Sequence, residues 1–348
     1  MSWCSNTEKY EVMETITYRE AIEASEKYKE DYLSGLEKVI LQRESAADEV
    51  RYQKCKDILA NQESYRQSLK AFLGWPLTEK DSGNIPKASV VKLSEDKICT
   101  IYRISVEVLD GYSITGLLFQ QDEQKRPLVI AQHGGDGTPE QVGNLYGETY
   151  NYNQMIERML KCNVHVFAPQ LLLWNTQNFG IPYQRDVLDA RLKNTGSSIA
   201  ALEIYGITRI LDYFQAQSYV SNFGMIGLSY GGFYTLYTAA LDKRIQSAVA
   251  CSFSHTSKQA RCDWMWGQYR ESFSDAEVAC LVYPRKLCYE MGDCDPLFDL
   301  KEVEAEISQL KELAGETVEN WFEFLLFSGG HEFCWDNEPL IRLAKNIQ

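Results

Sequence analysis

The spacing of apolar residues changes near residue 80. Before that point, the segments 21–43 and 46–73 are rich in Glu, Lys, Gln, Ala and Leu and carry apolar residues at helical spacing. A Gly-Trp-Pro sequence at 74–76 closes this part, because proline cannot continue a helix. The pattern predicts a helical N-terminal extension over residues 1–85. It either packs beside the main domain, or serves as an oligomerisation arm or a wall of a substrate cleft.

From residue 88 onward, short apolar runs alternate with helical patterns. The runs predicted as strands are 90–93, 99–108, 113–119, 127–132, 164–169, 223–226, 245–251, 287–291 and 321–327. Helical patterns cover 152–160, 197–215, 233–241 and 300–313. Nearly continuous apolar strands that alternate with helices predict an α/β domain over 86–348, with a mostly parallel sheet covered by helices on both faces. Asp110-Gly111 predicts an antiparallel hairpin at the sheet's edge.

Composition narrows the functional classes. The 348 residues carry a net charge of −14 with no basic cluster, which argues against a nucleic-acid partner. Ten scattered cysteines include no Cys-x-x-Cys pair, so neither zinc nor a disulfide framework is expected. No apolar run is long enough to span a bilayer, and the N-terminus lacks the pattern of a secretory signal. We therefore expect a cytoplasmic protein without a membrane partner. The oligomeric state stays open.

The stretch Gly-Leu-Ser-Tyr-Gly-Gly at 227–232 is the first sign of chemistry. It follows the predicted strand 223–226 and precedes the helical pattern 233–241, which is the context of a nucleophile elbow. Such an elbow holds its serine on a strained turn that brings neighbouring backbones close together. A Cβ at position 227 or 231 would therefore clash. The motif predicts Ser229 as a catalytic nucleophile.

A serine nucleophile needs a histidine base and a carboxylate, and in a sheet of this kind both follow the serine, first the acid and then the histidine. His133 and His165 precede Ser229 and fail this test, and no acid at a strand end separates Ser229 from His255. His331 lies in a glycine-flanked loop after the last predicted strand, where sites in open α/β sheets collect. We predict His331 as the base.

The acid is expected in Gly-Asp-Cys-Asp-Pro, residues 292–296, directly after the strand 287–291. Asp295 lies farther out on this loop, where it can reach the histidine of the next strand, and is our predicted acid. Asp293 is the alternative. A third interpretation is that both aspartates only cap the helix that begins near Leu300.

Ester or amide hydrolysis also needs donors for the developing oxyanion. We predict the backbone N–H groups of Tyr230, next to the nucleophile, and of Gly135, in the loop after strand 127–132, with Asp136 as the alternative to Gly135. His133 is expected to support that loop by hydrogen bonding. His165, between valines in a predicted strand, is expected to be a hydrogen-bonded core residue.

The motifs resemble the α/β-hydrolase superfamily, and within it the dienelactone hydrolase-like and acetyl xylan esterase-like branch. The matching stretches are His133-Gly134-Gly135, 227–232, 283–287 followed by Gly292-x-x-Asp295-Pro296, and Gly330-His331. They span 127–331. The resemblance implies the α/β-hydrolase fold and a Ser-His-Asp hydrolase that acts on small-molecule esters without a metal or cofactor. The helical extension is similar to that of some bacterial members.

Two departures limit what the resemblance implies. Dienelactone hydrolases proper use a cysteine where this chain has Ser229, so their substrate does not carry over. The Ser-Tyr-Gly-Gly elbow also resembles that of prolyl oligopeptidase-type peptidases, which leaves a small peptidase or amidase as the alternative activity. Those enzymes carry a β-propeller, and the first 85 residues are too short for one. A binding module that has kept only the fold is the non-enzymatic alternative.

Aromatic residues in two long irregular segments are candidates for the substrate cleft. Trp174, with Phe179 and Tyr183, lies in one segment, and Trp266, with Trp264, lies in the other. They either line a cleft above the nucleophile or pack their segments onto the domain. By analogy with the resembling family, an acylated carbohydrate is the preferred substrate.

Overall fold

The computed structural model describes residues 20–79, 83–172, 183–254 and 269–348. By its contacts the chain divides into two compact units, Met1–Val50 and Arg51–Gln348. The predicted boundary at residue 85 stays a prediction.

Two long helices make up the N-terminal part: α1 (Glu26–Cys55) and α2 (Gln62–Leu73). The pattern suggested an interruption near residues 44–45, but α1 runs through it because nothing there breaks a helix. The interruption lies at 56–61, where the Asp57 carboxylate accepts a hydrogen bond from the Asn61 amide at 2.6 Å. Inside the second unit, the buried Arg66 of α2 donates to the carbonyls of Ala240 and Leu281, at 2.9 and 2.6 Å. α2 is thereby fastened to the α/β core.

The second unit is built on a nine-stranded sheet. Its strands are β1 (Ala88–Glu95), β2 (Thr100–Leu109), β3 (Tyr112–Gln120), β4 (Arg126–Gln132), β5 (His165–Pro169), β6 (Val220–Leu228), β7 (Ile245–Cys251), β8 (Lys286–Gly292) and β9 (Phe322–Phe327). Their order is β1-β2-β3-β5-β4-β6-β7-β8-β9. β1, β2 and β3 pair antiparallel, as does β3 with β5, and all pairs from β5 to β9 are parallel. The predicted hairpin joins β2 and β3 through its two-residue turn.

Helices cover both faces of this sheet. The described helices of the domain are α3 (Pro139–Val142), α4 (Met155–Leu160), α5 (Arg185–Lys193), α6 (Ile199–Gln215), α7 (Tyr230–Leu241), α8 (Tyr269–Ser272), α9 (Asp275–Cys280), α10 (Leu300–Ala314) and α11 (Glu338–Ile347). One buried cluster joins the sheet to α2, α6, α7, α9 and α10, and a second joins its other face to α3, α4 and α11. Successive residues of β4 alternate between the two clusters. The predicted α/β architecture is confirmed.

His165 lies in the core, as predicted. Its Nδ1 accepts the backbone N–H of Gln121 at 3.2 Å, and its ring makes an edge contact with Tyr219. Burial lowers the pKa of His165, which favours the neutral imidazole. No described helix is long and apolar enough to cross a membrane.

Candidate active site

The predicted nucleophile elbow lies where β6 ends and α7 begins. Ser229, between them, has φ 59° and ψ −120°, a left-handed conformation that is strained for a residue with a side chain. Its backbone N–H donates to the carbonyl of Cys251 at 2.9 Å. Its hydroxyl does not cap α7. The strained turn predicted from the motif is therefore present, and its hydroxyl is not used to terminate the helix.

The two glycines of the elbow behave as the motif predicts. A Cβ on Gly227 would overlap the carbonyl of Gly231, and a Cβ on Gly231 would overlap the carbonyl of Gln132. Both obstacles are backbone atoms, which cannot turn away as a side chain does. The tight approach of β4, β6 and α7 thus requires glycine at both positions.

The structure brings two of the predicted catalytic residues together. His331 Nδ1 lies 2.9 Å from Asp295 Oδ2, and the two side chains are 16% and 1% exposed. The other carboxylate oxygen, Oδ1, accepts the backbone N–H of Leu297 at 2.9 Å. Both oxygens of the Asp295 carboxylate therefore act as acceptors, one for the Leu297 N–H and the other for the Nδ1–H of His331. The second ring nitrogen of His331 can then take a proton from another group.

Asp293 has a different place. It is exposed, and its Oδ1 accepts the backbone N–H of Gly329 at 3.1 Å. This bond ties the loop after β8 to the loop after β9, whereas the carboxylate hydrogen-bonded to the imidazole is that of Asp295. The cap of α10 is Asp299, whose carboxylate accepts the N–H of Lys301 at 3.0 Å. The interpretation of both predicted aspartates as caps of this helix is therefore wrong.

Ser229 and His331 lie at the same end of the sheet. They follow β6 and β9, and Asp295 follows β8, so all three come from the carboxyl ends of parallel strands. Cys251, at the end of the intervening β7, connects them. Its carbonyl accepts the N–H of Ser229 at 2.9 Å, and its thiol donates to the carbonyl of Glu332 at 3.3 Å. One strand end thus bonds both Ser229 and the loop after β9 that carries His331, residues 328–337, called here the histidine loop.

The loop after β4 lies against the elbow. A Cβ placed on Gly134 would be 3.3 Å from the Cβ of Ser229. His133 supports the loop, as predicted: its Nε2 accepts the N–H of Leu171 at 3.1 Å, so Nδ1 carries the proton and donates to Gly134 O at 2.9 Å. Burial lowers the pKa of His133 to about 4, which keeps this tautomer neutral.

The two predicted oxyanion donors border this region. Gly135 is half-buried and follows Gly134 in the loop, and Tyr230 is the first residue of α7. The N-terminus of a helix favours negative charge, which suits a donor at Tyr230. Their role as donors stays a prediction.

A turn at 150–154 was not found from the sequence. Tyr152 accepts the N–H of Gly134 at its hydroxyl, at 2.8 Å. Asn151 Nδ2 donates to His331 O at 3.1 Å, and Asn153 Nδ2 donates to Phe333 O at 2.7 Å. The turn therefore joins the β4 loop to the histidine loop. Its only sequence signal is two asparagines, which tolerate left-handed backbone; Asn153 has φ 49°.

A buried polar cluster formed by Glu203, Arg185 and Tyr234 lies near Tyr230. Glu203 of α6 accepts the N–H of Leu172 at 2.6 Å and pairs with Arg185 at 3.3 Å. Arg185 donates to the hydroxyl of Tyr234 at 3.0 Å, and its guanidinium lies 6.0 Å from the Tyr230 ring. Burial raises the pKa of Glu203, and the charge of Arg185 opposes that rise. Through Arg185, the cluster contacts Tyr230 and Tyr234 in the first turns of α7 and so holds the start of this helix.

The candidate cleft residues Trp174 and Trp266 lie outside the described residues, as do Phe179, Trp264 and His255. Tyr183 is described and is half-buried, and burial raises its pKa. Within the described ranges, no three His, Cys, Asp or Glu side chains are grouped so that they could hold a metal ion.

The sheet order, the elbow and the loops after β8 and β9 define the α/β-hydrolase fold. Solved structures with this fold resemble the chain over most of its length. A Bacteroides fragilis protein assigned as an acetyl xylan esterase superposes with a TM-score of 0.61 at 14% identity, over 79% of this chain and 76% of that one. The glucuronoyl esterase of Solibacter usitatus gives 0.60 at 14%, over 82% and 91%. That of Teredinibacter turnerae gives 0.60 at 15%, over 84% and 85%. The chain matches no protein-family model and no curated protein sequence.

Proposed function

We propose that the protein is a serine carboxylic-ester hydrolase that works through an acyl-enzyme. The observation that carries the proposal is the 2.9 Å bond between His331 and the buried Asp295. It lies at the same sheet end as a serine on a strained strand-to-helix turn. A serine hydroxyl is a weak nucleophile near neutral pH, and a carboxylate-oriented imidazole is the group that activates it.

In the proposed reaction, Ser229 Oγ attacks the ester carbonyl carbon while His331 Nε2 accepts its proton. The carbonyl electron pair moves onto oxygen, and the N–H groups of Tyr230 and Gly135 stabilise that charge. Collapse of this intermediate breaks the bond to the alcohol, which leaves with the proton from His331. Water repeats the sequence on the acyl-enzyme and releases the acid. Asp295 keeps its negative charge throughout and stabilises the imidazolium. The scheme requires neither metal nor cofactor.

For the substrate we propose a small ester, with an acylated carbohydrate as the first choice. This choice is supported by the carbohydrate-directed names of the superposable proteins, an acetyl xylan esterase and two glucuronoyl esterases. We place the enzyme in the cytoplasm. The eight cysteines within the described residues are free, which fits a reducing compartment.

The test is hydrolysis of p-nitrophenyl acetate and of acetylated xylo-oligosaccharides by wild-type protein and by Ser229→Ala. Intact mass is measured after fluorophosphonate treatment. Ser247→Ala is the matched control, because this buried serine lies on the adjacent β7 and contacts Asn346 instead of the site. We expect one label on the wild type and the control, and no label or turnover in Ser229→Ala. A folded wild type that neither takes the label nor cleaves any ester would overturn the proposal. Faster cleavage of aminoacyl amides than of esters would indicate a small amidase.

A further inference from the structure

The segment after His331 has neither helix nor strand hydrogen bonding, yet its residues Phe333 and Cys334 are buried. Buried backbone groups need partners. The carbonyl of Glu332 accepts the Cys251 thiol at 3.3 Å, and those of His331 and Phe333 accept the two asparagine side chains of the 150–154 turn. The histidine loop, residues 328–337, is thus held by side chains of other elements.

Arg158 of α4 supplies three further bonds to this loop. Its Nη1 donates to Cys334 O at 2.7 Å, its Nη2 to Asp336 O at 2.7 Å, and its Nε to the side chain of Asn337 at 2.8 Å. Nη1 also donates to Asn153 O at 3.2 Å. A single guanidinium therefore grips three positions of the histidine loop and one residue of the turn that also holds that loop.

The surroundings of Arg158 allow little movement. The residue is 6% exposed, and its guanidinium carbon lies 5.8 Å from the Phe333 ring and 5.6 Å from the Trp335 ring. The carboxylates whose charges act on it are the buried Glu290 of β8 and Asp336. A planar, forked cation fits these divergent carbonyls and rings, whereas a lysine ammonium has all three of its donors on a single nitrogen.

We propose that Arg158 is a positioning residue of the active site. It holds the histidine loop in place, so that His331 keeps its hydrogen bond to Asp295 and faces Ser229. This inference rests on the proposed function. It assigns a role in turnover to a side chain that touches neither Ser229 nor His331. Misplacement of a reacting group by about 1 Å costs on the order of a hundredfold in rate. Loss of the four hydrogen bonds made by Arg158 is therefore expected to lower the rate of the chemical step.

The test compares Arg158→Lys and Arg158→Ala with wild type and with Arg342→Lys as the matched control. Arg342 is 40% exposed on α11 and pairs with Glu323 at 2.7 Å, outside the histidine loop. Fluorophosphonate titration counts the active sites, so turnover is expressed per labelled site. We expect both Arg158 variants to lose about 10- to 100-fold in kcat per site, with KM within about twofold, because the residue contacts no substrate. Methylguanidinium should restore part of the rate in Arg158→Ala only.

A merely structural role gives another result: fewer labelled sites, each with wild-type kcat. That result would overturn the proposal, as would unchanged turnover in both variants. If Arg158→Ala fails to fold, Asn337→Ala removes one bond of the grip and should lower kcat in the same direction, by about two- to fivefold. The low-field NMR signal of the His331 Nδ1 proton, assigned by its loss in His331→Gln, needs no substrate. It should weaken in the Arg158 variants and persist in Arg342→Lys, even if the proposed function itself fails for lack of ester hydrolysis. Its full retention in the Arg158 variants would refute the positioning role.

Discussion

Replacement of Asp295 by asparagine is the most informative single change in this protein. Asp295 uses both carboxylate oxygens: Oδ1 accepts the N–H of Leu297 at 2.9 Å, and Oδ2 accepts the Nδ1 proton of His331 at 2.9 Å. Asparagine has only one acceptor oxygen. If that oxygen stays with the Leu297 N–H, the amide NH₂ faces His331 and can bond only to an unprotonated Nδ1. The histidine proton must then move to Nε2, the atom that accepts the proton of Ser229 in the proposed mechanism.

The expected loss follows from this wrong tautomer. A histidine whose Nε2 already carries the proton cannot act as the base, and loss of the carboxylate also removes the charge that stabilises the imidazolium. We expect kcat/KM for p-nitrophenyl acetate to fall by roughly 10³- to 10⁴-fold, which is about 4 to 5.5 kcal/mol of transition-state stabilisation. The fold should survive, because the side chains of asparagine and aspartate have the same shape.

Asp293→Asn is the matched control, two residues away in the same loop. Its carbonyl oxygen can still accept the Gly329 N–H, so we expect a loss of less than about fivefold in kcat/KM. Circular dichroism and the melting temperature check folding of both variants. The reasoning is refuted if Asp295→Asn keeps kcat/KM within tenfold of wild type, or if Asp293→Asn loses more than Asp295→Asn.

Three further changes test the surroundings of the site. Gly231→Ala forces a Cβ into the backbone of β4, and we expect a lower melting temperature and the loss of fluorophosphonate labelling; a wild-type melting temperature would contradict the packing described. Tyr152→Phe leaves the buried N–H of Gly134 without its acceptor, which should destabilise the fold by about 1–3 kcal/mol in urea titrations; no change in the midpoint would count against that bond. Burial raises the pKa of Glu290 from 4.5 to about 7, so its folded form prefers the proton, and the unfolding free energy should fall by up to about 3 kcal/mol as pH rises through that interval. Glu290→Gln should flatten this loss while Glu323→Gln, an exposed control, should not; an unchanged pH dependence in Glu290→Gln would show that another group is responsible.

Much of the fold could be predicted from local sequence patterns. The two-residue turn between β2 and β3, the apolar runs of the parallel strands and the Gly-x-Ser-x-Gly motif are each visible in a short stretch of sequence, so the sequence alone is enough to infer them. The pairing of Asp295 with His331 was predicted from strand order, which places successive strand ends side by side, but strand order alone left Asp293 as an alternative. Helix α11 was not assigned, although its apolar residues at 340, 343, 344 and 347 have helical spacing.

The rest of the site depends on contacts that no local pattern encodes. Asn151, Asn153 and Arg158 bind carbonyls about 180 positions later in the chain. Such bonds between a side chain and a distant backbone depend on where two loops meet, which is settled only by packing of the whole sheet. The length of α1 is a separate case, since its end is followed by a local turn in which Asn61 donates to the Asp57 carboxylate.

The long sequence separation of these hydrogen bonds has a consequence for folding during synthesis. The histidine loop, residues 328–337, leaves the ribosome long after its partners on α4 and in the 150–154 turn. Closure of a loop of about 180 residues has to await the synthesis of every strand of the sheet, and contacts so distant form late and slowly. A nascent chain that stops short of this loop can therefore present the strained Ser229 turn before the proposed base, His331, has been synthesised. Under the proposed mechanism, hydrolytic activity therefore requires that the histidine loop has been synthesised.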